Sequence, residues 1–205
     1  MLQTRTIEPT TLGLLKSLMS QPLLEPFYLV GGTALALQLG HRFSIDLDFF
    51  THLDFDKDSL FDSLKDNYEM AIELTNPVIT IAYINEVKTD FVKVRYSPQY
   101  PIKVIDDVKM LDIRDIAPMK LNAISQRGSK KDFYDMYYLF NHLSLEEMLE
   151  AYEVKFKTQN MYQVVKSLTY FTDADEFADP KVFDKNLTWS KIKKTISKTV
   201  DLYLT

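Results

Sequence analysis

Apolar positions Leu12, Leu15, Leu18 and Met19 recur at helical spacing from Thr10 to Met19, before Pro22 and Pro26 interrupt the chain, which predicts a first helix followed by a loop. Phe27 to Val30 is a short apolar run that ends at Gly31-Gly32. Thr33 to Leu39 then reads as a helix terminated by Gly40, giving the order strand, glycine turn, helix. Ile45 to Phe50 alternates apolar residues with Asp46 and Asp48, so it predicts a strand carrying both carboxylates on one side. A helix over 58–64 and three strands over 69–74, 78–84 and 88–94 complete a mixed first half, the strands being marked by β-branched and aromatic residues.

After the turn region SPQYP no β-like run of comparable strength remains, and helical patterns dominate. Asp112 is placed to cap a helix running to Gln126, in which Pro118 is expected to cause a kink or a break. Gly128-Ser129 separates it from a helix over 130–140 whose apolar stripe is Phe133, Met136, Tyr137 and Phe140. Further helices are predicted over 145–156, 161–171 and 189–204. The fold class is therefore α+β, with a mixed sheet and flanking helices followed by an all-helical C-terminal part. The boundary is expected near residues 98–107, dividing the chain into 1–105 and 106–205.

Composition removes several classes. With 205 residues, 46% of them hydrophobic and 13% aromatic, the chain can bury a core of its own. There is no cysteine, and His41, His52 and His142 lack the paired spacing of a zinc site, so disulfides and structural zinc are excluded. The first ten residues show no basic segment leading into an apolar one, and no run reaches the roughly 18 apolar residues of a membrane span. A soluble, cytoplasmic protein is expected. The net charge of −5 argues against tight duplex DNA binding while leaving room for a local basic patch.

The chemistry concentrates in LVGGTALALQLGHRFSIDLDFF, residues 29–50. Carboxylates at i and i+2 of a strand project from one face with Cα atoms about 6.5–7 Å apart, so both can ligate hard cations through oxygen. Gly31-Gly32 lets backbone approach a bulky anion, and the helix start that follows offers free N–H groups to phosphate. Each element alone is ordinary: a Gly-Gly pair usually makes a turn, and Asp-x-Asp on an edge strand is usually a solvated face. Their combination, with a third strand-borne acid, Asp90, in KTDFVKV, points to phosphoryl or nucleotidyl transfer, which requires metal and phosphate sites side by side.

This segment resembles the glycine motif plus Asp-x-Asp of the nucleotidyltransferase superfamily, and GGTALALQLGHRFSIDLDFF is similar to the AbiEii/AbiGii toxin family. DIAPMKLNAISQRGSKKDFYDMYYLF (residues 115–140) resembles that family's lysine helix and the acidic helix after it, and TDFVKVRYSPQYPI resembles the strand bearing the third acid. The resemblance implies a nucleotidyltransferase-like sheet with a helical domain closing the active-site cleft. It makes Asp46, Asp48 and Asp90 ligands of two Mg²⁺ ions, with Asp90 alternatively the base, and sets Gly31, Gly32 and Thr33 beside the phosphates of a nucleoside triphosphate. Lys120 would compensate phosphate charge, and Asp132 would be the acid of the next helix, with Asp135 on the same helix face. An RNA acceptor such as the 3′ end of tRNA and a cognate antitoxin are the partners implied.

Arg42 is placed to reach a phosphate bidentately, the plainer alternative being a surface ion pair. His41 is expected to be structural, and Arg127, Lys130 and Lys131 to line an acceptor channel. The lysines at 191, 193, 194 and 198 read as the wet face of the last helix. Two other readings stay open: transfer to a protein or small molecule, and a nucleotide- or partner-binding module with little catalysis.

Overall fold

The computed structural model describes residues 1–157 and 160–205. Helix α1 (Pro9–Met19) precedes β1 (Tyr28–Leu29), α2 (Gly31–Leu39), β2 (Leu47–Thr51) and α3 (Lys57–Asn67). Strands β3 (Met70–Thr75), β4 (Ile79–Ile84), β5 (Val87–Lys93), β6 (Lys103–Ile105) and β7 (Val108–Met110) follow. The helices α4 (Ile113–Gln126), α5 (Lys130–Leu139), α6 (Leu145–Phe156), α7 (Met161–Ser167), α8 (Thr172–Asp175) and α9 (Trp189–Leu204) complete the described chain. It is a mixed α+β protein.

The strands form one seven-stranded sheet in the order β3-β4-β5-β2-β1-β7-β6. The pairs β2/β5 and β1/β7 are parallel, and the remaining neighbours are antiparallel. Strand β2 buries Leu47, Phe49 and Thr51 on one face, and Phe49 stacks on Phe91 of β5 at 5.5 Å between ring centroids. Phe27 and Phe61 meet Phe91 edge-on, so one ring of β5 anchors the sheet to the elements covering its apolar face. Truncating such a ring typically costs about 3–5 kcal/mol. The opposite face of β2 carries Asp48 and Phe50, both half-buried.

Two compact units divide the chain, one comprising 1–40 and 44–112, the other 41–43 and 113–205. The hairpin β6–β7, which no strong pattern marks in the sequence, extends the sheet past residue 105. It is built on Asp106 and Asp107 with φ of 50° and 67°, a turn whose left-handed residues suit the twist of a tight hairpin. In the helical unit α4 packs on α5, α6 and α7, while α9 packs on α5 and α6. Helix α4 runs unbroken through Pro118, so the break allowed for there does not occur. Residues 41–43 join this unit by pairing with the chain before α9: Phe43 N donates to the Lys181 carbonyl at 2.8 Å and Phe183 N to the His41 carbonyl at 3.1 Å.

Candidate active site

In the sheet unit, parallel pairing of β2 with β5 sets Asp48 directly opposite Asp90. Asp90 is 18% exposed, and its Oδ1 is buried with no hydrogen-bond partner. Its nearest cation is Lys88 on the same strand, Nζ standing 4.0 Å from Oδ2. Burial raises the Asp90 pKa; Lys88 opposes this, and the charges of Asp46 and Glu73 add to it. An acid held this way gains from any cation placed against its bare oxygen.

Gly31 adjoins the same carboxylates. Its φ of +68° is left-handed, and a β-carbon there would run into the Asp48 carboxylate, 3.1 Å from Cγ and closer still to Oδ2. Instead of forming a turn with Gly32, as the sequence suggests, it opens α2, whose first N–H groups have no intrahelical acceptor. Val30 N donates to the Asp48 carbonyl at 2.8 Å and locks the helix start to β2.

Asp46 falls just before β2 rather than within the strand expected over 45–50. The cause lies in Thr33, whose buried hydroxyl bonds the Asp46 carbonyl and lies 2.8 Å from Ser44 Oγ, so that this carbonyl is drawn to α2 rather than to a strand ladder. Thr33 thus holds the segment carrying Asp46. Among the described residues no three acidic or histidine side chains already surround a common cation position. Two carboxylates facing one another, completed by phosphate and water oxygens, are nevertheless a donor set that suits Mg²⁺, which retains water and rarely takes an all-protein cage.

Lys120, Asp132 and Arg42 belong to a second, buried constellation within the helical unit. Arg42 grips Asp135 with both arms, Nε to Oδ1 at 2.6 Å and Nη2 to Oδ2 at 2.9 Å. Lys120 Nζ lies 2.7 Å from Asp135 Oδ2 and 3.0 Å from Asp132 Oδ1, and Arg127 Nε completes Asp132 at 3.1 Å. Burial alone would depress Lys120, but Asp135 and Asp132 outweigh it and raise its pKa. Burial would raise both aspartates, yet Lys120 with Arg127 lowers Asp132, and Arg42 with Lys120 holds Asp135 well below the ordinary carboxylate range. All are charged. His41 is the exception: burial lowers its pKa despite Asp135, so the neutral ring donates Nε2–H to Asp135 Oδ1 at 2.8 Å and leaves Nδ1 buried without a partner.

The order of these parts is what a family model reproduces. The model described as "Nucleotidyl transferase AbiEii toxin, Type IV TA system" matches residues 13–107 and 78–202, taking in both constellations. The chain belongs to the AbiEii family. It is a nucleotidyltransferase, and AbiEii membership implies a nucleoside triphosphate substrate and an antitoxin counterpart. Uncharacterized protein aq_aa25 of Aquifex aeolicus is 34% identical over 197 residues, spanning 93% of this chain and 94% of its own. Among solved structures, MenT4, the nucleotidyltransferase toxin Rv2826c of Mycobacterium tuberculosis, superposes with a TM-score of 0.63 at 14% identity, covering 91% of this chain and 78% of that one. A putative nucleotidyltransferase from Helicobacter pylori gives 0.61 at 18% identity, covering 95% of each chain, and JHP933 from the same organism gives 0.59 at 18%, covering 96% and 92%. At such identity these likenesses concern the fold.

In this AbiEii chain the sheet thus brings Gly31, Asp48 and Asp90 together with Asp46 alongside, whereas Arg42, Lys120 and Asp132 assemble around Asp135. Lys130, expected to line a channel, is buried 3.4 Å from Asp179 and lies over the Trp189 ring at 5.5 Å. Lys193 joins the same ring from α9, while Lys191, Lys194 and Lys198 are exposed as expected. The alternation Lys88-x-Asp90 places an ammonium beside the third acid; its two-residue period was the available signal for Lys88. No helix among the described residues is long and apolar enough to cross a membrane.

Proposed function

We propose that the carboxylates of Asp46, Asp48 and Asp90 hold Mg²⁺, as two ions, against a nucleoside triphosphate, and that the enzyme transfers its nucleotide to the 3′ hydroxyl of an RNA such as tRNA. The observation that carries this reading is the buried, unpartnered Oδ1 of Asp90, set in register against Asp48 at the start of α2. Mg²⁺ supplies charge neutralisation of phosphate oxygens and lowers the cost of exposing the hydroxyl as a nucleophile. The acceptor oxygen forms a bond to the α-phosphorus as the bond to the bridging oxygen of pyrophosphate breaks, and the hydroxyl proton passes to water. Gly31 and Gly32 present backbone N–H groups to the triphosphate. Thr33 fixes Asp46 through its carbonyl, and the buried network of Arg42, Lys120, Asp132 and Asp135 maintains the helical unit.

The test is incubation with each labelled nucleoside triphosphate, Mg²⁺ and total RNA, asking which species gains label and whether pyrophosphate is released. Asp48→Asn should melt at the same or a higher temperature without metal, lose the stabilisation that Mg²⁺ gives the wild type, and incorporate no label. Full incorporation by Asp48→Asn overturns the mechanism.

A further inference from the structure

Asp90 divides the polar face of the sheet. Across β2 lie Asp48 and the start of α2; along β5 stands Lys88, two residues earlier, with Tyr83 opposite it on β4. Tyr83 and Lys88 are cross-strand partners, as are Ile81 and Asp90, so all four share one face, while Ala82, Ile84 and Phe91 point into the core. The side chains of Tyr83 and Lys88 are both partly open to solvent. Tyr83 is 41% exposed and makes no hydrogen bond or ring contact among the described residues, and Lys88, 39% exposed, makes only the 4.0 Å approach to Asp90.

In-line displacement puts the entering and leaving oxygens on opposite sides of the α-phosphorus. If pyrophosphate departs on the side of α2, beside Asp48, the attacking hydroxyl arrives from the side of Asp90. The body of the acceptor then extends over β4 and the start of β5. An ammonium beside an exposed aromatic ring is the chemistry that receives a single-stranded nucleic acid, the ring stacking on a base and the cation meeting the backbone. We infer that Tyr83 and Lys88 form the acceptor subsite: Tyr83 stacks on the 3′-terminal base of a single-stranded RNA, and Lys88 binds the phosphodiester preceding it. The inference rests on the nucleotidyl-transfer reading and assigns two residues to its RNA acceptor, because a protein or small-molecule hydroxyl would use neither a stacking ring nor a phosphate contact there.

A labelled single-stranded RNA of about ten nucleotides with a free 3′ hydroxyl, titrated with Mg²⁺ but without triphosphate, reports binding by fluorescence anisotropy with no reaction. Tyr83→Ala and Lys88→Met should each weaken binding about tenfold, and Lys88→Met should reduce the slope of log K against log salt by about 0.7. Tyr83→Phe, which keeps the ring, should bind as the wild type does. Binding of nucleoside triphosphate with Mg²⁺, measured by calorimetry on the wild type and on Tyr83→Ala, should be the same for both. Wild-type RNA affinity in both Tyr83→Ala and Lys88→Met, or no RNA binding by the wild type, overturns the subsite while the triphosphate titration leaves the nucleotidyl-transfer reading standing. A wild type that binds no triphosphate removes that reading and the subsite with it.

Discussion

Arg42 and Asp135, 93 residues apart in sequence, meet as a buried two-pronged pair at 2.6 and 2.9 Å. A guanidinium fits this fork and an ammonium does not. Removing either partner takes from a charge in a dry interior its two-pronged contact, leaving Asp135 to Lys120 and His41 or Arg42 to the Phe43 carbonyl and its remaining neighbours, a loss approaching about 3–5 kcal/mol. Asp135→Ala and Arg42→Ala should each destabilise by that order in denaturant unfolding, the double variant by less than their sum, and Arg42→Lys should recover only part. Additive losses would show that the two residues are not coupled.

Lys120→Ala should be destabilised in the absence of any nucleotide, because the ammonium bridges Asp132 and Asp135 inside the helical unit. Arg127 and Arg42 still hold one carboxylate each, so the loss should be smaller than for Asp135→Ala, about 2 kcal/mol. Melting curves without ligand decide it. An unchanged midpoint would return Lys120 to the role of a free phosphate-binding charge.

His41 gives the fold a pH dependence of definite sign. Burial lowers its folded pKa below the ordinary 6.5. Below that value the unfolded chain takes a proton that the folded chain refuses, so unfolding becomes easier as the solution is acidified, until the depressed folded pKa is passed. The melting temperature should therefore fall between about pH 7.5 and about pH 5.5. His41→Gln, which keeps a donor to Asp135 but cannot titrate, should flatten this fall.

Gly31→Ala combines a left-handed backbone, costing about 1–2 kcal/mol for a side-chain-bearing residue, with overlap onto the Asp48 carboxylate. The expected result is modest destabilisation and a loss of Mg²⁺-dependent thermal stabilisation far larger than the stability change. Equal Mg²⁺ stabilisation in Gly31→Ala would show that Asp48 can move aside without consequence for the site.

Local signals made much of the fold legible. Helix α6 is read correctly from 145 to 156 because Ser144 and Glu147 form a capping box in front of an amphipathic run. The strands β3, β4 and β5 fall where runs rich in β-branched and aromatic residues place them. What the sequence concealed depends on partners far along the chain or on very short elements. β6 and β7 have three residues each, too few to show a period. Pro118 sits in a helix whose surroundings hold it together despite the missing N–H. Arg42 carries no mark of its attachment to Asp135, and the expectation that it would face a phosphate came from its place near Asp46 alone. The faces of Asp48 and Asp90 follow from the alternation that buries Leu47, Phe49 and Phe91, but the adjacency of β2 and β5 depends on pairing across some forty residues that no local pattern marks.

Three residues, 41–43, belong to the helical unit although their neighbours on both sides belong to the sheet. The backbone therefore passes between the units at 40/41, 43/44 and 112/113, and no single cut separates them. A gene fragment encoding 113–205 would supply Asp135 without the guanidinium that neutralises it, and one encoding 1–112 would carry that guanidinium with no carboxylate to receive it. Neither half is a portable module. A chimaera that exchanged the C-terminal half would have to preserve the fit of residues 41–43 to the helices they join.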